Sequence, residues 1–417
     1  MDFSELFKFD LYNFHLIIIG IVTLLAATVP NLLNNKNITA PIIYLLIGII
    51  IYMCSNDYSS IAVLNNVDII RKITEFVVII ALTNAGLKIK EPFAWKTWKY
   101  SFWLLTITLP LTIVAAAWLG WWFLGLAPAA AILFGALISP TDPVLAADLQ
   151  TTRPSKQDIS KTRLGLTTEA GINDGLAFPF NYFAILMVSK GADYSVWIGE
   201  WIWIDIVYKI TTGVIVGLLS GWLLYKLIFS KTSQKQQSKI SRGILSLALT
   251  LLPYALTDVI GGYGFIAVFI AACTFSNSDK DIHHMDNLHD FTEEIERIFV
   301  TFLFVIIGIY MAAHIEELLD WRLIATALAI ILIIRPVSGW IALARTDLSR
   351  FEKFVLSFYG IRGVGSIYYL MYALGEADFA DSEKLIHLTT ITIILSVLIH
   401  GITAATIQKK LDKYDVA

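Results

Sequence analysis

The chain predicts an all-α polytopic membrane protein, and three observations predict it. Of its 417 residues 57% are hydrophobic and only 16% charged, against roughly 25% charged in soluble domains. Mean hydropathy is +0.68. Apolar stretches close to the ~20 residues that cross a bilayer recur along the whole length. About thirteen spans are predicted, at 12–29, 40–54, 73–87, 101–125, 128–149, 164–189, 201–228, 241–259, 261–277, 292–312, 322–344, 353–373 and 385–406.

The first run follows MDFSELFKFD, which lacks the basic start and small-residue cleavage site of a signal peptide, so it reads as a true span. The second, third and ninth runs are short and borrow flanking polar residues. The eighth and ninth part only at Gly261-Gly262. Cys54 and Cys273 lie in apolar runs and read as small core residues, not as a disulfide or metal ligands. A net charge of −3 with a pI near 6.2 gives no sign of nucleic-acid binding.

Lys and Arg counts set orientation. Outside the spans, 21 basic residues fall on one side and six on the other: Lys8, Arg71, Lys72, Lys190, Arg322 and Lys384. The bias puts the N-terminus outside and the C-terminus in the cytoplasm. Four basic residues remain within spans or at their ends. Lys209, one turn after Asp205, reads as a surface pair. Arg297, after Glu293, Glu294 and Glu296, reads as a partner for those acids. Arg335-Pro336 reads as a snorkelling arginine. Arg362 is taken up below.

An internal repeat is expected. Aligning Gly86 with Gly308 brings Asp142 near Gly363-Val364-Gly365. Two six-span units, 12–189 and 241–406, then flank a linking helix at 201–228. One span between two even units inserts them with opposite orientations. Inverted repeats mark transporters, whose sites lie at mid-bilayer where corresponding helices break. Pro140 and Pro143 break span five. Gly360, Gly363 and Gly365 loosen span twelve.

The chemistry lies at those breaks. A mid-membrane carboxylate costs at least ~2.5–3.5 kcal/mol on insertion scales, so it is rarely idle. Here Asp142 sits in Ser139-Pro140-Thr141-Asp142-Pro143, and Glu169 and Asp174 in Glu169-Ala170-Gly171-Ile172-Asn173-Asp174-Gly175. Glu169 and Asn173 share a helix face, while Gly171 and Gly175 admit close neighbours. An alkali cation wants hard oxygens, which Asp174, Glu169, Thr141, Asp142 and carbonyls freed by the prolines supply. Asp174 then holds a proton or a cation, never both. A buried Glu169 needs a counter-charge, and Arg362 is the expected partner. Asn173 is expected to hydrogen-bond Asp142, which organises the crossing of spans five and six.

Thr141-Asp142-Pro143, Asn173-Asp174 with Glu169 upstream, and Gly360-Ile361-Arg362-Gly363 closely resemble the electroneutral cation/proton antiporters of the NhaP type, relatives of the animal sodium/proton exchangers. The resemblance spans nearly the whole chain. It implies a core domain with two crossing broken helices, a separate dimerisation domain, a homodimer and elevator-like transport. It also implies that Asp174 carries proton or cation, that Glu169 pairs with Arg362, and that Asn173 signals one cation for one proton. NhaA-like electrogenic members have Asp-Asp instead. One departure is Ala170, where members can offer a serine hydroxyl; Thr167, Thr168 or a water is the expected substitute.

The resulting expectation is a Na+ (or Li+)/H+ antiporter of a prokaryotic inner membrane, with no cofactor and no enzymatic activity. K+/H+ exchange is the near alternative, and electrogenic exchange is disfavoured by Asn173. A cation channel would need a continuous polar path, whereas the polar residues converge on one place. An intramembrane aspartyl hydrolase built on Asp142 and Asp174 fits poorly with Asn173 and Arg362. The His283, His284 and His289 loop matches no standard metal spacing and reads as solvated. Trp95, Trp98, Trp121, Trp122, Trp197, Trp201, Trp203 and Trp321 read as an interfacial belt.

Overall fold

A computed structural model describes residues 11–33, 38–54, 66–146, 149–151, 160–228, 239–278 and 282–416. Among them every regular element is helical. In order these are α1 (Leu11–Leu33), α2 (Ala40–Cys54), α3 (Val67–Leu87), α4 (Trp95–Trp103), α5 (Leu109–Trp122), α6 (Pro128–Ile138), α7 (Lys161–Lys190), α8 (Tyr194–Glu200) and α9 (Lys209–Ile228). Then come α10 (Lys239–Val259), α11 (Gly264–Ser278), α12 (Ile282–Ala313), α13 (Ile315–Leu318), α14 (Trp321–Ala329), α15 (Arg335–Leu343), α16 (Arg350–Phe358), α17 (Val364–Glu376) and α18 (Ser382–Val416). Short π-helical stretches join α4 to α5, α8 to α9 and α14 to α15.

Each predicted stretch falls on a helix or a broken helix. Among the described residues six helices are long and apolar enough to cross a membrane, including Leu16–Leu33, Trp95–Trp122, Tyr194–Leu227 and Trp321–Leu343. Their exposed large side chains, such as Leu24, Val114, Trp203 and Ile333, face outward where lipid tails replace water. The turn between α10 and α11 lies at the expected glycines, with Gly261 at φ +73, a left-handed conformation that suits a residue without a Cβ.

Two helices stop mid-protein. The run predicted as span five ends as a helix at Ile138, because Pro140 and Pro143 lack the N–H a helix needs and clash with the preceding turn. In the second, a Ser349 capping box starts α16, the helix ends at Phe358, and α17 resumes only at Val364. The two gaps meet. Asp142 N–H donates to Ile361 O at 2.8 Å, and Val364 N–H donates to Asp142 Oδ2 at 2.6 Å.

Residues 222 apart thus touch at the crossing, Val364 with Asp142 and Arg362 with Pro140. The same offset relates Gly86 to Gly308. A Cβ at Gly86 would strike α11 at Ala272 and Phe269, and a Cβ at Gly308 would strike α2 at Leu45 and Gly48. The α3–α11 packing therefore has its counterpart in α12–α2.

Some expectations fail. Cys273 is buried but Cys54, at the end of α2, is exposed. Trp197 is buried, its Nε1 donating to Gly191 O at 3.1 Å. Trp98 and Trp201 are half-buried, while Trp95, Trp121, Trp122, Trp203 and Trp321 are exposed. The histidine segment is not a loop: α12 extends back to Ile282, and His289 is buried. Residues 279–281 of that stretch lie outside the described residues.

Candidate ion site

Asp142 and Asp174 face one small void. It holds about 10 Å³ and is lined by Val77, Val78, Ala81, Asp142, Pro143, Val144, Asp174, Val364 and Gly365. That volume admits about one water-sized particle. Both carboxylates are buried, Asp174 to 2% exposure. Among the described residues, Asp142 and Asp174 are the charged side chains that line the void. Among the described residues, two acids therefore share a small buried space with no guanidinium or ammonium lining it, a place where a second negative charge is costly.

Asp142 is held by backbone. Its Oδ1 accepts from Val144 N–H at 2.8 Å and Leu145 N–H at 3.3 Å, and its Oδ2 accepts from Val364 N–H. It thus ties the first break to the first turn of α17, where a helix N-terminus favours negative charge. Gly363 permits this: a Cβ there would collide with the Asp142 carboxylate. Asp174, on α7, rests against Gly365 and beside Tyr369. Gly171 and Gly175 admit the Phe269 and Ile266 side chains of α11, not a bare backbone as expected.

The arginines fall differently from expectation. Glu169 pairs with Arg335, Oε1 to Nη2 at 2.7 Å, not with Arg362. Both are buried. Arg335 does not snorkel, because its guanidinium is turned inward to the Glu169 carboxylate. Arg362 instead caps the first break: Nη1 donates to Pro140 O at 2.6 Å and to Ser139 O. Its backbone N–H donates to Ser396 Oγ at 2.9 Å. The carbonyls freed by the prolines are thus taken by a side chain. Asn173 Nδ2 donates to Thr141 Oγ1 at 2.7 Å, not to Asp142. Neither Thr141 nor Glu169 lines the void. Thr167 and Thr168 donate to Arg163 O and Leu164 O, and neither lines the void.

A cavity of about 670 Å³ opens towards the site from one end of the bundle. Asn84, Lys88, Arg163, Glu293, Glu296, Arg297 and Asp412 line it, and so does Val144, which also borders the void. Arg297 pairs with Glu293 at 2.9 Å, as the sequence suggested. Asn84 Nδ2 donates to Glu296 at 2.9 Å. On the opposite side rings close over Asp174. Phe178, one turn on, contacts Tyr263, Phe265, Tyr369 and Tyr372 at centroid separations of 5.2–5.7 Å. There Lys209 pairs with Asp205 at 2.7 Å, as expected, but Asp205 is buried and Lys209 lies over the Tyr182 ring, so this is not a surface pair.

The Glu169–Arg335 pair and the Asn84–Glu296 bond were missed from the sequence. The signal was a polar residue inside an apolar run, which needs a partner. The sequence does not say which one.

A family model described as sodium/hydrogen exchanger, transmembrane, matches residues 20–410. The chain belongs to that family. It is accordingly a multi-pass membrane protein. It is 24% identical over 418 residues to the K(+)/H(+) antiporter NhaP2 of Shewanella oneidensis, covering 95% of this chain and 67% of that one. It is 26% identical to the Na(+)/H(+) antiporter NhaG of Bacillus atrophaeus, over 70% of this chain and 54% of the other. The chain thus spans about half to two thirds of the length of these two relatives. The fold matches that of the sodium proton antiporter MjNhaP1 from Methanocaldococcus jannaschii, with a TM-score of 0.71 and 20% identity over 95% of this chain and 98% of that one.

Proposed function

We propose that this family member is a secondary antiporter that exchanges Na+ or Li+ for H+ across the cell (inner) membrane. The observation that carries the reading is the single-particle void between Asp142 and Asp174, with no basic side chain among the residues lining it. An empty pair of carboxylates in so small a buried space is costly, and loading either a proton or a cation relieves it. Movement of loaded forms alone yields obligatory exchange. Asp174 is the shared group. Asp142 faces the same ion while holding the two breaks together. Thr141 and Glu169 enter the ligand shell only after rearrangement. Arg362 and Asn173 fix the crossing, and Arg297 balances acids in the cavity.

The units 12–189 and 241–406, joined by the helix at 201–228, are the two inverted repeats. The core carrying the breaks slides elevator-fashion against a dimer domain in a homodimer. The N-terminus is outside and the C-terminus cytoplasmic, so the cavity is the cytoplasmic entry. The neutral Asn173 supports one cation per proton. A K+/H+ exchanger is the second reading, supported by relatives named K(+)/H(+) antiporters.

The test is exchange in proteoliposomes carrying a pH-sensitive dye, with Na+, Li+ and K+ supplied in turn and the voltage clamped. Proton flux driven by Na+ or Li+ and insensitive to voltage supports the reading. Response to K+ alone selects the second. Conduction without counter-ion contradicts both.

A further inference from the structure

At the end of the bundle opposite the cavity, two histidines from distant parts of the chain meet. His314 lies between α12 and α13, directly after Ala313, and His387 lies in the second turn of α18. Their ring centroids are 5.6 Å apart. His314 stacks on Tyr310 at 4.2 Å, and its Nδ1 lies 3.2 Å from Tyr310 O. Glu317, one turn beyond His314, and Glu383, one turn before His387, are exposed, and both are near enough to act on His387. The ion chemistry at Asp174 uses none of these groups.

We propose that His314 and His387 form a transition-metal site of the zinc class, completed by Glu317 or Glu383. Two imidazoles on one tetrahedral zinc, at bond lengths of about 2.0–2.1 Å, put their centroids about 5 Å apart. The observed spacing is close to that. The Tyr310 carbonyl accepts a hydrogen bond from His314 Nδ1–H, which leaves the Nε2 lone pair for a metal. Ligating histidines are ordinarily oriented by such a bond. As placed, neither glutamate completes with both imidazoles a set of ligand atoms within 4.8 Å of one another; the site needs one of these exposed side chains to rotate inward, where its charge lowers the net charge of a zinc ion held by two neutral imidazoles. An ion so held ties the end of α12 to the start of α18.

The test is Zn2+ titration of the purified full chain in detergent, beside His314→Ala, His387→Ala and the double variant. His289, Asp290 and Glu293 lie together at the other end and offer zinc a separate place, so the difference between proteins is the readout. The wild type is expected to bind one more Zn2+ than the double variant. Each single change is expected to weaken that site at least about tenfold. Zn2+ should raise the melting temperature of the wild type more than that of the double variant. Equal stoichiometry and affinity in wild type and double variant would overturn the proposal. Should the variants fail to fold, X-ray absorption of the Zn2+-loaded wild type decides. Two imidazole nitrogens on one ion support the site, and a shell with one or none contradicts it.

Discussion

Glu169 and Arg335 form a buried ion pair at 2.7 Å between residues 166 apart in sequence. The pair fastens α7, which carries Asp174, to α15. Breaking a buried pair by removing one partner strands a charge and costs about 3–5 kcal/mol. Glu169→Ala and Arg335→Ala are each expected to lower the melting temperature sharply. The double variant should be more stable than the sum of the two losses implies. Additive losses would show that the two side chains do not interact.

Asp142 accepts three backbone N–H groups across the two breaks. Asp142→Asn keeps the size but replaces a carboxylate oxygen with a donor facing donors. Each hydrogen bond to a charged group contributes about 1.5–3 kcal/mol. The variant should lose stability and exchange together. A protein with native melting and native exchange would remove Asp142 from the account.

Gly171 faces the Phe269 ring across the α7–α11 contact. Gly171→Ala should cost about 1–3 kcal/mol through overpacking. Gly20→Ala, with nothing within 4 Å of the added carbon, is the matched control and should cause no loss. Equal melting of the two variants would contradict the packing described.

Asp347, in the loop between α15 and α16, accepts from Lys99 Nζ at 2.7 Å and Tyr100 Oη at 2.8 Å. These bonds hold its carboxyl below the usual carboxylate range. A depressed folded-state value means that the ionised form supports the fold above the unfolded value, near 3.9. The support fades only as pH falls through the folded value. The group is more than half exposed, so the effect is small. Asp347→Asn should melt slightly below wild type from about pH 7 down to about pH 5, and the gap should close only in stronger acid. A gap that opens as pH falls would reverse the sign.

The positions of helices and both breaks were legible because hydropathy and proline geometry are local properties. Pro140 and Pro143 announce the first gap without any knowledge of the neighbours. The glycine alignment behind the expected repeat does pick out two like contacts, since Gly86 and Gly308 each let another helix in closely. Partner choice was not legible. The sequence points to Arg362 as the counter-charge for Glu169 and to Arg335 as snorkelling, and the structure gives the pairing to Arg335 instead. What decides is that α15, not the α16–α17 break, passes Glu169, while the proline-freed carbonyls draw Arg362 away. Asn173 likewise turned to Thr141 because the Asp142 carboxylate was already filled by backbone donors.

The central claim is that Asp174 alternately holds H+ and an alkali cation in the small void it shares with Asp142. Dye-reported exchange in proteoliposomes holding Asp174→Asn, matched to wild type for yield and melting, tests it most directly. The account predicts no cation-driven proton movement with Na+, Li+ or K+. Cation-dependent proton flux at the wild-type rate would contradict it.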